Sequence, residues 1–458
     1  MTASPGPPAP ATPAVDQRLP LPRLLPLAAQ HVLAMIAAPV STVFLIGAGL
    51  HLPPARTASL LSATLMLCGA GALLQSFGVL RAGARLPFMM LPGGAAVAVF
   101  LEIAHAHGAA TASGSVLLAA ALLLAVLPLY GRLVRLFPPL VMGATVLVIG
   151  VNMIHVAAPM ALAGRRLALV TLAATTLCFL VLRGVWRQLS VLIGMVAGTA
   201  TAALGGAAFP AVPGDTVVAL PRLLPYGVPH FDLLAALPLM VFALASLAEA
   251  TGQTVLNSEA VGRTPDPARD VPRTARADAL VSLGAGLFGA PVMVTSAENI
   301  GIAALTGVRS RFVTAAAGAL LVLSGLLAPV TRLLAALPTP VVGGAALVIY
   351  AVIAAMGIAM LGRTDLAGRA ASTVVALTLL AGLLPILAPQ LYAPLPGWAR
   401  ALFGSGVPAA ALTAIVLSAL FGRLAAPAPR APSPAGPTPE PQAPCVSPSS
   451  CRAGPAGR

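Results

Sequence analysis

Long apolar runs, separated by short segments rich in arginine, proline and glycine, dominate the chain. A run of about 20 apolar residues is long enough to cross a bilayer core of about 30 Å as a helix. The pattern predicts an all-α polytopic membrane protein with fourteen transmembrane segments, the third, ninth and tenth being short or interrupted. The predicted helices are 24–49, 57–79, 87–104, 113–131, 138–157, 166–182, 188–208, 231–256, 277–289, 291–307, 312–331, 338–361, 370–389 and 398–421.

Composition agrees with this class and narrows the choice of partners. The 458 residues are 58% hydrophobic and 8% charged, which is typical of a protein embedded in lipid. The net charge of +14 could indicate nucleic-acid binding, but all 26 basic residues are arginines, and they lie mainly in short loops. The charge is therefore explained by membrane topology, and no nucleic-acid partner is expected.

The distribution of arginine predicts the orientation. With the N-terminus inside, 20 of the 26 arginines fall in inside segments and six in outside loops. Cytoplasmic loops carry an excess of basic residues, so both termini are predicted to be cytoplasmic and the protein to lie in the cell membrane. The Pro-rich ends, residues 1–22 and 425–458, are predicted to be disordered cytoplasmic tails.

An internal repeat predicts the architecture. Residues 137–150 align with residues 337–350 at six identical positions of fourteen, sharing Pro-x-x-Val-x-Gly. These are the fifth and twelfth predicted helices, and because they are seven helices apart they run in opposite directions. The sequence therefore predicts a seven-plus-seven inverted repeat, 23–209 and 229–422, which is typical of secondary transporters.

The repeat extends to the interrupted third and tenth helices. Residues 87–94 (PFMMLPGG) align with residues 291–298 (PVMVTSAE), each an extended-looking run followed by small residues that open a helix. A short strand followed by a half-helix would cross the bilayer once, since an extended chain rises about 3.3 Å per residue and a helix about 1.5 Å. Non-helical backbone at this depth is tolerated where it faces protein or a wet cavity.

Two carboxylates interrupt otherwise apolar stretches. Glu249 and Glu298 each lie within a predicted span, where a charge costs about 3 kcal/mol or more on insertion scales. Gln253 follows Glu249 by four residues, so both lie on one helical face. Glu249 and Gln253 are interpreted as a binding site for an N–H-rich ligand, with helix–helix hydrogen bonding as the alternative. Glu298 is interpreted as a proton carrier or a structural cap.

Other polar residues suggest weaker hypotheses. Gln30 and His31 open a long apolar helix, where a histidine has either a structural or a functional role, and Ser296 is a candidate N-cap. The sequence has no phosphate-binding loop, metal-ligand cluster or catalytic triad. An ATP-driven pump and a membrane enzyme are therefore disfavoured, and no cofactor is expected.

These residues give the chain a specific resemblance. Residues 298–307 (ENIGIAALTG) fit every fixed position of a signature that reads Gln/Glu/Pro, Asn, any, Gly, four of any, Thr, then Arg/Lys/Gly. Gln30-His31 and the Glu-x-x-Gly of residues 249–252 match two further motifs in register. Over roughly residues 24–422 the chain resembles the nucleobase–cation symporter-2 family, also called nucleobase–ascorbate transporters.

The resemblance implies a fold, a function and site residues. The family fold has a core domain of helices 1–4 and 8–11 and a gate domain of helices 5–7 and 12–14, and the substrate lies at the strand–helix junctions. The resemblance implies a nucleobase transporter. The titratable Glu298, with no second cluster of carboxylates and hydroxyls resembling a sodium site, favours H⁺ over Na⁺ as the coupling ion, and a homodimer formed through the gate domain is a further expectation. The expected site residues are Glu249, Glu298, Asn299 and Gly94 for substrate, Glu298 and His31 for proton coupling, and Gln30, Gln253, Ser296, Gly301 and Thr306 in support.

Two departures from the family pattern leave the substrate open. Gln253 stands where Asp or His is common, and Pro92-Gly93-Gly94 stands where a small polar residue is commonly followed by an aromatic one. Glu298 is typical of uracil-type members, whereas residues 306–311 (TGVRSR) resemble the purine type. A sulfate- or bicarbonate-type anion transporter of the same architecture is the alternative; two carboxylates facing the cavity would repel its substrate.

Overall fold

The protein is helical and has several spans, as predicted. The computed structural model describes residues 13–133, 138–206, 209, 216–296, 309–404 and 406–424. In this part of the chain, seven helical stretches are long and apolar enough to cross a membrane, and four shorter apolar helices accompany them. A multi-pass membrane protein is the architecture that these helices define.

The first half of the described chain contains ten α-helices and one strand. Ile36 separates the first two helices, which together form one apolar stretch from Leu21 to Gly49. The elements are α1 Leu21–Met35, α2 Ala37–Gly49, α3 Pro54–Phe77, β1 Met89–Pro92, α4 Gly94–His107, α5 Ala109–Val126, α6 Tyr130–Leu133, α7 Pro139–Leu162, α8 Arg165–Val181, α9 Val185–Gln188 and α10 Ser190–Leu204.

The second half repeats the order of long helices and one short strand. Its elements are α11 Leu233–Ala260, α12 Pro267–Leu287, β2 Met293–Ser296, α13 Arg311–Leu326, α14 Ala328–Ala335, α15 Thr339–Leu361, α16 Arg369–Leu387, α17 Gly397–Phe403 and α18 Gly406–Leu424. The tenth predicted helix, 291–307, contains β2, and from residue 297 onward it lies outside the described residues.

The two predicted extended segments are present and pair with each other. Strands β1 and β2 are antiparallel, with Met89 opposite Ser296 and Pro92 opposite Met293. The Gly93 amide adds a hydrogen bond of 2.9 Å to the carbonyl of Val292, just before β2. The strands therefore satisfy each other's backbone groups in the protein interior, which is the condition for non-helical backbone at membrane depth.

Helices α7 and α15 carry the internal repeat, and they pack closely and antiparallel. Gly143 on α7 lies against Leu361, and Gly150 lies against Ala354, so the partner number falls as the number on α7 rises. A Cβ atom at Gly150 would overlap the backbone of Ala354, so glycine permits this approach. Small residues at membrane helix contacts typically serve this purpose. The antiparallel course is the direction that an inverted repeat requires.

The ninth helix begins earlier than predicted. The sequence predicted a helix over 277–289, whereas α12 spans Pro267–Leu287. The Asp266 side chain accepts a hydrogen bond from the Arg269 amide and caps the helix, and Pro267 occupies its first turn. The hydropathy pattern missed this start because four of the first ten residues of the helix are charged. The correction places Asp278 well inside α12 rather than at its beginning.

The second part of the predicted N-terminal tail is ordered. Asp16 forms an ion pair of 2.6 Å with Arg311, and Ser310 Oγ donates a hydrogen bond of 2.6 Å to the Gln17 carbonyl. Val15 is buried. The expectation of disorder over 1–22 is therefore wrong for residues 14–17, because this segment is bonded to Ser310 and to Arg311, the first residue of α13. Residues 1–12 and 425–458 lie outside the described residues.

Candidate functional site

A cavity of about 110 Å³ lies where the two strands meet the helices that follow and flank them. This strand cavity is smaller than the roughly 300–1,000 Å³ of pockets for drug-sized ligands, so its size fits a small molecule. Helix α11 and strand β2 contribute polar and aromatic side chains to its lining, and the glycines after β1 contribute backbone. The lining includes Gly93, Gly94, Phe242, Glu249, Gln253 and Ser296.

Glu249 and Gln253 form one unit on α11. Their spacing of four residues places them on one face, and Gln253 Nε2 donates a hydrogen bond of 2.8 Å to Glu249 Oε1. Gln253 Oε1 is buried and has no hydrogen-bond partner among the described residues. An ionised carboxylate accepts hydrogen bonds only, and an amide oxygen does likewise. The pair therefore presents acceptors to the cavity and suits a ligand with several N–H groups.

An aromatic ring enters the cavity from α11 rather than from the β1 junction. Phe242 lies seven residues before Glu249, on the same helical face, and lines the cavity. A Cβ atom at Gly93 would lie 3.0 Å from Phe242 Cζ, so the missing side chain at Gly93 leaves room for the ring. The resemblance to the family implied that Gly94 stands in place of an aromatic residue, but it did not predict that Phe242 of α11 lines the same cavity.

A buried acid on α12 was missed by the sequence analysis. Asp278 is 4% exposed and accepts a hydrogen bond from Thr295 on β2, and Gln75 Nε2 of α3 approaches its Oδ1 at 3.3 Å. The same Gln75 nitrogen lies 2.7 Å from Thr295 Oγ1 and 3.0 Å from the Thr274 carbonyl. The network joins two helices to a strand that lines the cavity. Asp278 lies two residues after Arg276, at the polar edge of the predicted ninth helix, so a search for acids within apolar runs did not select it.

The structure separates the first-helix residues from the cavity. His31 is buried, and its Nδ1 donates a hydrogen bond of 2.9 Å to the Leu27 carbonyl one turn earlier. Gln30 Nε2 is buried without a hydrogen-bond partner among the described residues. Neither residue belongs to the described lining of the strand cavity. Their predicted roles are therefore not supported by a direct cavity contact.

The remaining predicted site residues divide between the cavity and the undescribed segment. Gly94 begins α4, and a Cβ there would make ordinary van der Waals contacts of 3.9 Å with the side chains of Ile149, Met153 and Ile353. Ser296 ends β2 and lines the cavity. Glu298, Asn299, Gly301 and Thr306 lie outside the described residues. In the described part of the chain, no group of three His, Cys, Asp or Glu side chains could hold a metal ion.

Comparison with known proteins assigns the class. Residues 22–391 match the model of a permease family. The chain is therefore a membrane permease and not an enzyme. It belongs to the nucleobase–cation symporter-2 family.

Two relatives resemble this chain in sequence, and one solved structure resembles it in fold. The uric acid permease PucK of Bacillus subtilis (strain 168) is 31% identical over 411 residues, which cover 87% of this chain and 95% of PucK. The xanthine permease of the same organism is 29% identical over 411 residues, or 87% of this chain and 94% of that relative. The transmembrane domain of the cyanobacterial bicarbonate transporter BicA has a TM-score of 0.56 at 16% identity, covering 88% of this chain and 100% of BicA's domain. At this identity the BicA likeness shows the fold alone.

Proposed function

We propose that the protein is a secondary transporter that imports a nucleobase by H⁺ symport. The observation that carries the proposal is the acceptor pair of Glu249 and Gln253 in a small cavity between two broken-helix strands. Uracil, xanthine and uric acid are planar molecules whose ring N–H groups point outward in the plane. Such a ligand would donate to the Glu249 carboxylate and the free Gln253 Oε1 while the Phe242 ring packs against its face.

A purine is the favoured nucleobase. Relatives that match most of the chain are a uric acid permease and a xanthine permease. Glu298, the uracil-type residue of the signature, is the counter-indication from the sequence.

The anion-transporter alternative is supported by fold only. BicA, a bicarbonate transporter, shares the architecture at low identity. An anion site requires positive charge or many N–H donors, whereas the described lining of the strand cavity contains a carboxylate and no arginine. We therefore retain nucleobase transport.

The inverted repeat suggests how the protein would move during transport. We propose that residues 23–209 and 229–422 are the two repeats, and that a core domain carrying both strands moves against a gate domain containing α7 and α15. The close, glycine-mediated contact of α7 with α15 would keep the gate rigid. Both termini would be cytoplasmic, and two copies would associate through the gate domains.

Proton coupling would involve acids at the strands. Glu298 is proposed as the proton-linked group, with His31 as a more distant participant. We add Asp278, because Thr295 on β2 donates to its carboxylate. Protonation would turn this acceptor into a potential donor and require the hydrogen bonds of Thr295 and Gln75 to rearrange, which would link proton binding to the position of β2.

Uptake by cells tests the proposed substrate class. In a strain without its own nucleobase permeases, the chain is expected to confer saturable uptake of radiolabelled uric acid or xanthine, with unlabelled purines competing and uracil competing less. Bicarbonate and sulfate should neither compete nor be taken up. Uptake of either anion without nucleobase uptake would contradict the proposal.

Removing the aromatic ring of the cavity is expected to weaken substrate affinity. Phe242→Ala should raise the apparent KM about fivefold to a hundredfold, because stacking of a base on an aromatic ring contributes about 1–3 kcal/mol. Phe403→Ala is the matched control, since Phe403 is 37% exposed at the end of α17. An unchanged KM in Phe242→Ala, measured at equal membrane expression, would exclude Phe242 from the substrate contact.

A further inference from the structure

A second, larger cavity is lined by arginines. This arginine cavity has a volume of about 600 Å³ and lies among the segments that the arginine asymmetry assigns to the cytoplasmic side. Five different arginines from four parts of the chain converge on it, together with residues 13–16. The arginines are Arg85, Arg263, Arg269, Arg273 and Arg309.

Few of these charges have a counter-charge within the protein. Arg263 pairs with the buried Asp270 at 2.7 Å. Asp16, the acid in the cavity lining, is 2.6 Å from Arg311, which lies outside the lining. Within the described residues, the side chains of the other four cavity arginines take part in no ion pair or hydrogen bond. The cavity therefore carries a strong excess of positive charge.

The backbone around the cavity holds two of the arginine-bearing segments together. Arg85 has a left-handed φ of 58°, and its amide donates a hydrogen bond of 3.0 Å to the Gln75 carbonyl at the end of α3. The Gly83 amide donates a hydrogen bond of 2.8 Å to the Arg273 carbonyl on α12. Arg269 precedes Arg273 by four residues, on the same helical face. The residues are thus positioned by fixed elements.

Membrane topology alone does not explain this convergence. The excess of arginine in cytoplasmic loops requires only that the residues lie on that side. It does not require guanidinium groups from separate segments of the chain to line one cavity, where like charges repel one another. An anion that enters the cavity would remove this repulsion.

We propose that the arginine cavity binds a phosphate-bearing anion, either the headgroup of an anionic phospholipid or a soluble phosphate ester. Guanidinium forks match phosphate oxygens with paired, charge-assisted hydrogen bonds, and basic pockets on the cytoplasmic side of membrane proteins suit anionic headgroups. The volume of about 600 Å³ has room for more than a single inorganic ion. The proposal does not depend on which substrate the strand cavity carries.

The bound anion would stabilise the segment that leads into β1. Ala84 and Val261 line the arginine cavity and belong to a buried cluster with Leu86 and Phe88, the residues just before the strand. Asn257 Nδ2 of α11 donates a hydrogen bond of 2.9 Å to the carbonyl of residue 87 in the same segment. An anion that draws Arg85 and Arg263 together would therefore hold this segment against α11.

Thermal unfolding of the purified full chain in a neutral detergent tests the site. Phosphatidylglycerol, phosphatidylcholine and glycerol 3-phosphate are added separately over a concentration series. We expect phosphatidylglycerol, glycerol 3-phosphate or both to raise the Tm saturably, and zwitterionic phosphatidylcholine to leave it unchanged. An effect of both anions indicates that phosphate itself is bound, and an effect of phosphatidylglycerol alone indicates a lipid site; either supports the proposal.

Charge-removal variants locate the effect. The Arg273→Gln/Arg309→Gln double variant should need at least about tenfold more ligand for half the Tm shift, because charge-assisted hydrogen bonds are lost. Arg363→Gln/Arg369→Gln, two exposed arginines outside the cavity, is the matched control. If the double variant does not fold, Arg269→Gln and Arg309→Gln are compared singly. No Tm shift with any anion, or equal loss in the control pair, would overturn the proposal.

Discussion

Glu249→Gln is expected to weaken nucleobase uptake about tenfold to a hundredfold while leaving membrane insertion unchanged. The variant removes the charge from the strongest acceptor of the strand cavity, and a hydrogen bond to a charged group contributes about 1.5–3 kcal/mol. The amide oxygen at position 249 can still accept the hydrogen bond that Gln253 donates. The loss should therefore reflect substrate binding rather than the local structure of α11.

Initial uptake rates over a range of substrate concentrations measure this effect. Glu259→Gln is the matched control, because Glu259 is an exposed glutamate on the same helix. The control should keep the wild-type KM. Wild-type affinity in Glu249→Gln, at equal protein in the membrane, would remove Glu249 from the substrate site.

Accumulation of the nucleobase against its gradient is expected to collapse when a protonophore is added. The sequence contains no nucleotide-binding motif, so uphill transport requires an ion gradient, and the acids at the strands favour protons. Uptake should rise as the external pH falls, since protons are then more available to the outward-facing acid. Uptake that survives the protonophore but requires external Na⁺ would contradict H⁺ symport.

Two variants separate coupling from binding. Glu298→Gln should flatten the pH dependence of uptake more than it raises the KM. Asp278→Asn should strongly reduce accumulation, because the amide cannot titrate within the Gln75–Thr295 network. Asp365→Asn, in an exposed loop, is the control. Unchanged pH dependence and accumulation in both acid variants would require another proton carrier.

Local sequence was sufficient for much of this structure. Apolar run lengths predicted the main helices, and the aligned segments after Pro87 and Pro291 predicted the two strands. The spacing of Glu249 and Gln253 predicted their shared face, which their hydrogen bond confirms. These features depend on the period of one helix or on the length of one segment, so they can be recognised without the tertiary fold.

Features that depend on tertiary contacts were missed. Gln75 and Asp278 are 203 positions apart, and only the packing of α3 against α12 and β2 brings them together. The approach of Phe242 to Gly93 likewise depends on how α11 crosses the end of β1. The start of α12 was misplaced because its polar first turns resemble a loop. Hydropathy cannot distinguish a polar helix that is capped by Asp266 from a solvated connection.

Direct binding to the purified protein tests the central claim, that the strand cavity holds a nucleobase. Radiolabelled uric acid and xanthine would be measured at equilibrium on the full chain in detergent, with wild type, Glu249→Gln and Glu259→Gln in parallel. We predict saturable binding of at least one purine by wild type and Glu259→Gln, and binding at least about tenfold weaker by Glu249→Gln. No saturable nucleobase binding by the folded wild-type protein, or equal affinity in Glu249→Gln, would contradict this account.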